Sequence, residues 1–197
     1  MSNLLQQLND DLNATVEKAR RSLVEIRNGH GGAGAGVIVR ADGLIVTNAH
    51  VIGRRSLKVT LPDKVTLPAQ LLDYDREHDL ALLAVDAQGL TPIELGDSKQ
   101  LKSGEWVMAI GHPWGVLGAA TGGIVIGGGA AFLEMRGTGR EWIAASLHMR
   151  PGHSGGALVD SESRLAGINT MINGPDVGVA VPVDVVKEFL ARAEKVK

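Results

Sequence analysis

Arg150-Pro151-Gly152-His153-Ser154-Gly155-Gly156-Ala157-Leu158 sets a serine among glycines, with an apolar run behind them. Glycine tolerates φ values that a side chain forbids, so the backbone around Ser154 can bend sharply. Such a bend exposes the hydroxyl and leaves neighbouring N–H groups free to point at one spot. Acyl transfer needs that combination: a nucleophilic oxygen beside donors that stabilise an oxyanion. A solvated serine in a glycine turn has the same local sequence, so the rest of the chain must separate the two readings.

Outward from this loop, the 197 residues include 26 glycines but only seven prolines and 3% aromatics, within 44% apolar content. Glycines scattered among Val, Ile and Leu point to short strands joined by tight turns, hence an all-β barrel or sandwich of one domain, possibly in two lobes sharing a core. A net charge of −2 offers no electrostatic basis for binding nucleic acid or an anionic membrane. The absence of cysteine excludes disulfides and thiolate metal sites and favours a reducing compartment. No secretory signal is visible between Met1 and Arg27, and cytoplasmic placement is expected. Trp106 to Leu133 lacks Asp, Glu, Lys and Arg and is long enough to cross a bilayer, but it carries eight glycines and His112-Pro113. Buried strands with glycine turns suit it better than a lipid-exposed helix.

In chain order, Leu4, Leu5, Leu8, Leu12, Val16 and Ala19 recur at spacings of three and four, which predicts an amphipathic helix over 3–20. It docks either on its own domain or on another subunit. Leu23, Val24 and Ile26 read as a strand. The run from Gly29 to Gly36 lacks the Gly-Lys-Ser/Thr of a phosphate loop and is not one. Ala41-Asp42-Gly43 between Val37-Ile38-Val39 and Leu44-Ile45-Val46 is a hairpin signal. Strands are expected at 57–61, 69–73, after Asp79, and then at 106–110, 123–126, 141–145, 157–159, 165–172 and 177–181. Gly89 to Lys102 reads as a linker between two lobes, roughly 22–100 and 103–182. A closing helix over 183–195 carries Asp184 near its positive end.

The order of candidate groups narrows the chemistry. An α/β-hydrolase places its histidine after the serine, yet His153 is the last histidine here, and the strands lack alternating long helices. His50, Asp79 and Ser154 follow the order of chymotrypsin-type enzymes.

Three segments carry a family resemblance: Thr47-Asn48-Ala49-His50-Val51, Asp79-Leu80-Ala81-Leu82-Leu83 and Gly152-His153-Ser154-Gly155-Gly156. With Gly34-Ala35-Gly36-Val37-Ile38-Val39, Ile110-Gly111-His112-Pro113-Trp114-Gly115 and Gly167-Ile168-Asn169-Thr170, the chain from about Ala19 to Phe189 resembles the HtrA (Deg) serine proteases. The resemblance implies two six-stranded antiparallel barrels of the trypsin-like type flanked by an N-terminal and a C-terminal helix. It implies a cleft site with His50 as general base, Asp79 orienting it and Ser154 as nucleophile. The Gly152 and Ser154 amides would form the oxyanion hole. Met149, Thr170, Met171 and Ile172 would contact substrate, and the apolar character of Met149, Met171 and Ile172 favours cleavage after aliphatic residues. No cofactor or metal is implied. Endopeptidase action on unfolded or flexible polypeptides, a role in protein quality control and a homotrimer formed through the N-terminal segment are expected; the alternative is a silent peptide-binding or chaperone-like module.

Two departures from the family pattern stand out. The family usually carries Asn where His153 stands, and usually appends PDZ domains, whereas a protease domain alone is expected here. His153 either faces solvent in place of Asn or, beside His112 or His148, loosens the loop when protonated, costing activity below about pH 6.5. A metal site of His112, His148 and His153 is disfavoured, since no carboxylate stands at ligand spacing.

Overall fold

A computed structural model describes residues 3–29, 33–53, 56–128, 140–172, 174 and 176–194. The first barrel consists of β1 (Leu23–Arg27), β2 (Ala33–Arg40), β3 (Leu44–Thr47), β4 (Leu57–Thr60), β5 (Thr66–Asp75) and β6 (Leu80–Val85), closed in the order β1-β2-β3-β6-β5-β4. The second consists of β7 (Trp106–Gly111), β8 (Ala119–Gly128), β9 (Ile143–Ser146), β10 (Ala157–Val159), β11 (Leu165–Ile172) and β12 (Val177–Pro182). It closes in the order β7-β8-β9-β12-β11-β10, the topology of the first barrel again, although the sequence shows no repeat. All strand pairs within both barrels are antiparallel. Helix α1 (Leu4–Arg20) precedes them and α2 (Val183–Glu194) follows.

Several strands are apolar at consecutive positions because both of their faces are buried. In β6, Leu83 and Val85 point into the first barrel beside Ile26, Ile38 and Ile45, while Leu80 and Leu82 face the other way. There they meet Ile110, Ala157 and Ile168 of the second barrel, and Val186 and Phe189 of α2. The inner core of the second barrel is built on Val107, Val125, Ile143 and Leu158. The barrels thus share a third apolar cluster along their seam. The helices differ in how they use it. Val16 and Ala19 of α1 are buried there, whereas Leu4 and Leu5 are exposed, Leu4 by 78%.

The segment 89–102 joins the two barrels, as expected of a linker, but it is not a loose tether. This segment is a strap stitched to both barrels: Ile93 N–H donates to the Ile38 carbonyl at 2.9 Å, Leu165 N–H to the Glu94 carbonyl at 2.7 Å and Gly96 N–H to the Leu165 carbonyl at 2.9 Å. Its irregular backbone shows no periodicity because its partners lie in distant strands. Asp184 sits in the first turn of α2 and accepts from the Ser98 amide at 2.9 Å, which ties strap to helix. The uncharged span from Trp106 forms β7 and β8 as far as 128; residues 129–133 lie outside the described residues. Among the described residues no helix is long and apolar enough to cross a membrane.

A second acidic tie fixes α2 to the first barrel. Asp75, at the end of β5, accepts from Arg192 at 2.8 Å and from the His78 amide at 3.0 Å. Burial alone would raise its pKa, but the hydrogen bonds from Arg192 and His78 outweigh it and hold the carboxyl far below the usual range. A depressed carboxyl adds stability that is present above the ordinary carboxylate range and lost as pH falls through and below it. Because the Arg192 side chain is 55% exposed and screened by solvent, Arg192→Ala should lower stability by about 0.5–1 kcal/mol near neutrality. The deficit should shrink below about pH 4, where the unfolded carboxyl protonates. Denaturant unfolding of parent and variant across pH measures both.

Candidate active site

The site lies where the two barrels meet. His50 follows β3 in a short 3-10 turn, and Asp79 stands immediately before β6 with φ of 55°, a left-handed conformation that non-glycine residues seldom adopt. Two hydrogen bonds hold the pair in register. Asp79 Oδ1 accepts from the His50 amide at 3.0 Å, and Asp79 Oδ2 lies 2.8 Å from His50 Nδ1. The Asp79 side chain is 18% exposed against 49% for His50, so the carboxylate sits beneath a ring that reaches solvent. Burial alone would raise the Asp79 pKa, but hydrogen bonds from His50 and Thr170 leave it below the usual carboxylate value. An ionised carboxylate at Nδ1 places the ring proton there and leaves Nε2 as the basic nitrogen.

Ser154 comes from the second barrel on a loop folded on itself. The Arg150 carbonyl accepts from the His153 amide at 3.0 Å, and the His153 carbonyl from the Gly156 amide at 2.9 Å. Glycine is required twice. Gly152 has φ of 105°, and a Cβ there would lie 2.6 Å from the His112 carbonyl oxygen. Gly155 has φ of 78°, and a Cβ would fall 2.1 Å from the Ala35 carbonyl oxygen. The loop therefore packs tightly on β2 and on the segment after β7. Among the described residues, neither the Gly152 nor the Ser154 amide has a hydrogen-bond partner, so both can serve an external acceptor.

The Ser154 hydroxyl donates to the Thr170 carbonyl at 3.1 Å and, among the described residues, makes no hydrogen bond to His50. Thr170 thereby takes on a second task. Its own hydroxyl donates to Asp79 Oδ2, so one residue of β11 touches both the acid and the serine. The same residue lines a cavity of about 200 Å³ beside Ser154, together with Met149, Met171 and Ile172. β10 pairs with β11 only as far as Ile168, and among the described residues no strand pairs with that side of Thr170 to Ile172.

Asn48, in the histidine segment, joins the site beyond the residues the sequence points to. Fully buried, it donates from Nδ2 to the Asp79 carbonyl at 3.0 Å and accepts from the Gly155 amide at 2.7 Å through Oδ1. The available signal was an amide side chain between the apolar run 44–46 and His50, where a strand end going into the core would oblige both ends of the amide to find partners. The histidines weighed as a metal set divide instead. His148 pairs with Asp176 at 2.6 Å, and among the described residues no group of three or more potential ligands could hold a metal ion.

His153 does not face solvent: it is 4% exposed, and its Nδ1 accepts from the Arg150 amide at 3.0 Å. Burial pushes its pKa below the ordinary imidazole value, and burial together with the neighbouring His153 does the same to His112. Protonation of His153, expected to loosen the loop below about pH 6.5, is thereby moved to a lower pH. The sign follows from linkage: a base whose folded pKa is depressed contributes full stability above its unfolded pKa and loses it as pH falls below that value. His153→Asn should lose less thermal stability than the parent between about pH 7 and pH 5. Parallel melting curves across that range give the comparison, and superimposable slopes would remove His153 as a pH-sensitive element.

Comparison with known proteins agrees with this geometry. Residues 34–168 match the model of the trypsin-like peptidase domain. The chain is 38% identical over 165 residues to the serine protease HTRA1 of Xenopus laevis, covering 82% of this chain and 36% of that protein. It is 36% identical over 165 residues to the mitochondrial serine protease HTRA2 of Drosophila pseudoobscura pseudoobscura, covering 81% and 39%. The chain therefore spans less than two fifths of these relatives' length. Among solved structures, an HtrA-type protease, AlgW with a decapeptide, superposes with a TM-score of 0.82 at 29% identity, covering 92% of this chain and 66% of that one. With two closed six-stranded barrels and a peptidase-domain match across most of them, the chain belongs to the trypsin-like peptidase domain family and, within it, to the HtrA serine proteases.

Proposed function

We propose that the chain is a serine endopeptidase acting on unfolded or flexible polypeptides in protein quality control. The observation that carries this reading is the 2.8 Å contact between Asp79 Oδ2 and His50 Nδ1, at the seam where the other barrel delivers Ser154. An extended substrate would pair with the open side of β11 and take the Thr170 carbonyl as an acceptor. That displaces the Ser154 hydroxyl, which turns to His50 Nε2. His50 takes the serine proton as Ser154 Oγ bonds to the scissile carbonyl carbon, and Asp79 stabilises the imidazolium. The Gly152 and Ser154 amides would hold the oxyanion, an interaction whose loss typically raises the barrier by about 3–4 kcal/mol. His50 then protonates the departing amine, and water, deprotonated by the same ring, hydrolyses the acyl-serine.

One observation favours a second reading, a silent peptide-binding module: at rest the serine hydroxyl is bonded to Thr170 and not to His50. Covalent labelling of Ser154 by a fluorophosphonate separates the two, since a silent module stays unlabelled. Assembly as a homotrimer through α1 belongs with the first reading and is supported by the exposed Leu4, Leu5 and Leu8.

Casein should be degraded by the parent, while His50→Ala, Asp79→Ala and Ser154→Ala each lower turnover by about 10⁴-fold. Near-normal proteolysis by Ser154→Ala would overturn the mechanism. Cleavage should follow Val, Ile, Leu, Ala or Met, because Met149, Met171 and Ile172 line the cavity beside the serine without an acidic group. Mass spectrometric mapping of casein fragments tests this, and an excess of cuts after Lys or Arg would refute it.

A further inference from the structure

Asn48 follows β3 and is fully buried, yet it belongs to neither the triad nor the oxyanion pair. Its Nδ2 donates to the Asp79 carbonyl at 3.0 Å and its Oδ1 accepts from the Gly155 amide at 2.7 Å. A buried amide engaged at both ends cannot turn without leaving a polar group unpaired, and no solvent reaches it to make good the loss.

The Gly155 amide belongs to the peptide unit that follows Ser154. The other polar end of that unit, the Ser154 carbonyl, accepts from the Ala35 amide at 2.8 Å. Both ends of one peptide plane are therefore bonded to the first barrel, although the loop that carries it leads into β10 of the second. The plane includes the Ser154 Cα, so holding it at both ends places the atom from which the nucleophilic side chain hangs. Its surroundings are tight as well: a Cβ on Gly155 would fall 2.2 Å from Thr47 Oγ1, which itself donates to the Ala35 carbonyl at 2.7 Å.

The two anchors differ in what the sequence can change. The Ala35 bond runs from main chain to main chain and survives most substitutions, whereas the Asn48 bond depends on the identity of one side chain. At its other end Asn48 holds the backbone of Asp79, whose φ is 55° and whose carbonyl also accepts from the Ala49 amide at 3.2 Å. One side chain thus spans the residue that orients His50 and the loop that presents Ser154.

We propose that Asn48 is a positioning residue: it sets where Ser154 Oγ stands relative to His50, and so governs the chemical step without touching substrate. This rests on the proteolytic reading. Without Oδ1 the Gly155 amide keeps the Asn169 carbonyl at 2.8 Å, a partner in its own barrel, so the loop stays folded but is released from the first barrel at that end. Asn48 does not line the cavity of Met149, Met171 and Ile172, so substrate affinity is untouched.

The test separates turnover from binding. On a fluorogenic peptide with valine before the scissile bond, Asn48→Ala should lower kcat by about 10–100-fold, because a misplacement of about 1 Å can cost a hundredfold. KM should stay within about twofold. Fluorophosphonate labelling of Ser154 should slow in step, with an unchanged pH of half-maximal labelling, since the Asp79 carboxylate keeps its bonds to His50. Val59→Ala, in the inner core of the first barrel, controls for lost stability and should label at the parental rate. If Asn48→Ala does not fold, Asn48→Ser replaces it, whose shorter side chain cannot reach both partners. A parental kcat in the folded variant, or a rise in KM alone, would overturn the proposal. A shifted half-maximal pH would move the effect to the Asp79–His50 pair and overturn the assignment to Ser154. Equal slowing in Val59→Ala would reduce Asn48 to a structural residue. If the parent neither cleaves nor labels, the proteolytic reading fails and takes this proposal with it; an active parent beside an unaffected Asn48 variant overturns this proposal alone.

Discussion

The Gly155 amide is shared between two acceptors, the Asn48 side chain at 2.7 Å and the Asn169 carbonyl at 2.8 Å. One of these belongs to the first barrel and the other to the second, so a single N–H fastens the serine loop across the seam. The neighbouring bond, from the Ala35 amide to the Ser154 carbonyl at 2.8 Å, does the same one residue earlier. Acyl transfer tolerates little misplacement of nucleophile and base, and the residues proposed for those roles, Ser154 and His50, come from different barrels. Cross-barrel hydrogen bonds at the serine itself set that distance more directly than burial elsewhere can.

Burial does the coarser positioning. The seam cluster takes side chains from β2, β3 and β6 on one side, from β7, β10, β11 and β12 on the other, and from both helices. Because apolar attraction is not directional, it brings the barrels together without choosing their relative rotation. Directional bonds must choose it, and they are placed where it matters: Asn48 and Ala35 at the site, and the 93–96 strap on the flank, bonded to Ile38 and Leu165. Asn48 is the most economical of them, since one side-chain amide holds the Asp79 carbonyl and the Gly155 amide together.

The legible part of the molecule was the part encoded locally or in chain order. Glycine-bounded apolar runs marked most strands, and the segments containing His50, Asp79 and Ser154 needed no contacts to be noticed. Strand extents were less legible. β8 runs from Ala119 to Gly128 where only 123–126 was expected, and β5 from Thr66 to Asp75 where 69–73 was expected. Glycine, threonine and alternating exposure weaken an apolar pattern without weakening the ladder, whose bonds are made by the backbone. What could not be read at all depends on contacts between residues far apart in the chain. The bonds of the 93–96 strap, the burial of His153 and the second contact of Thr170 are all of this kind.

Thr170 shows why the last of these matters. Its hydroxyl supports Asp79 in holding His50, and its carbonyl holds the Ser154 hydroxyl away from His50. These roles oppose each other only while the cleft is empty. On the function proposed above, a substrate strand paired with β11 would take the carbonyl as its own acceptor and leave the hydroxyl where it is, so the Asp79–His50 pair would be kept and the serine freed in one step. Side chain and main chain of a single residue can be used separately because a strand points them in perpendicular directions. In that proposal the backbone edge that would align an incoming peptide is also the edge that holds the Ser154 hydroxyl, so the restraint lies in the path of the strand that would remove it.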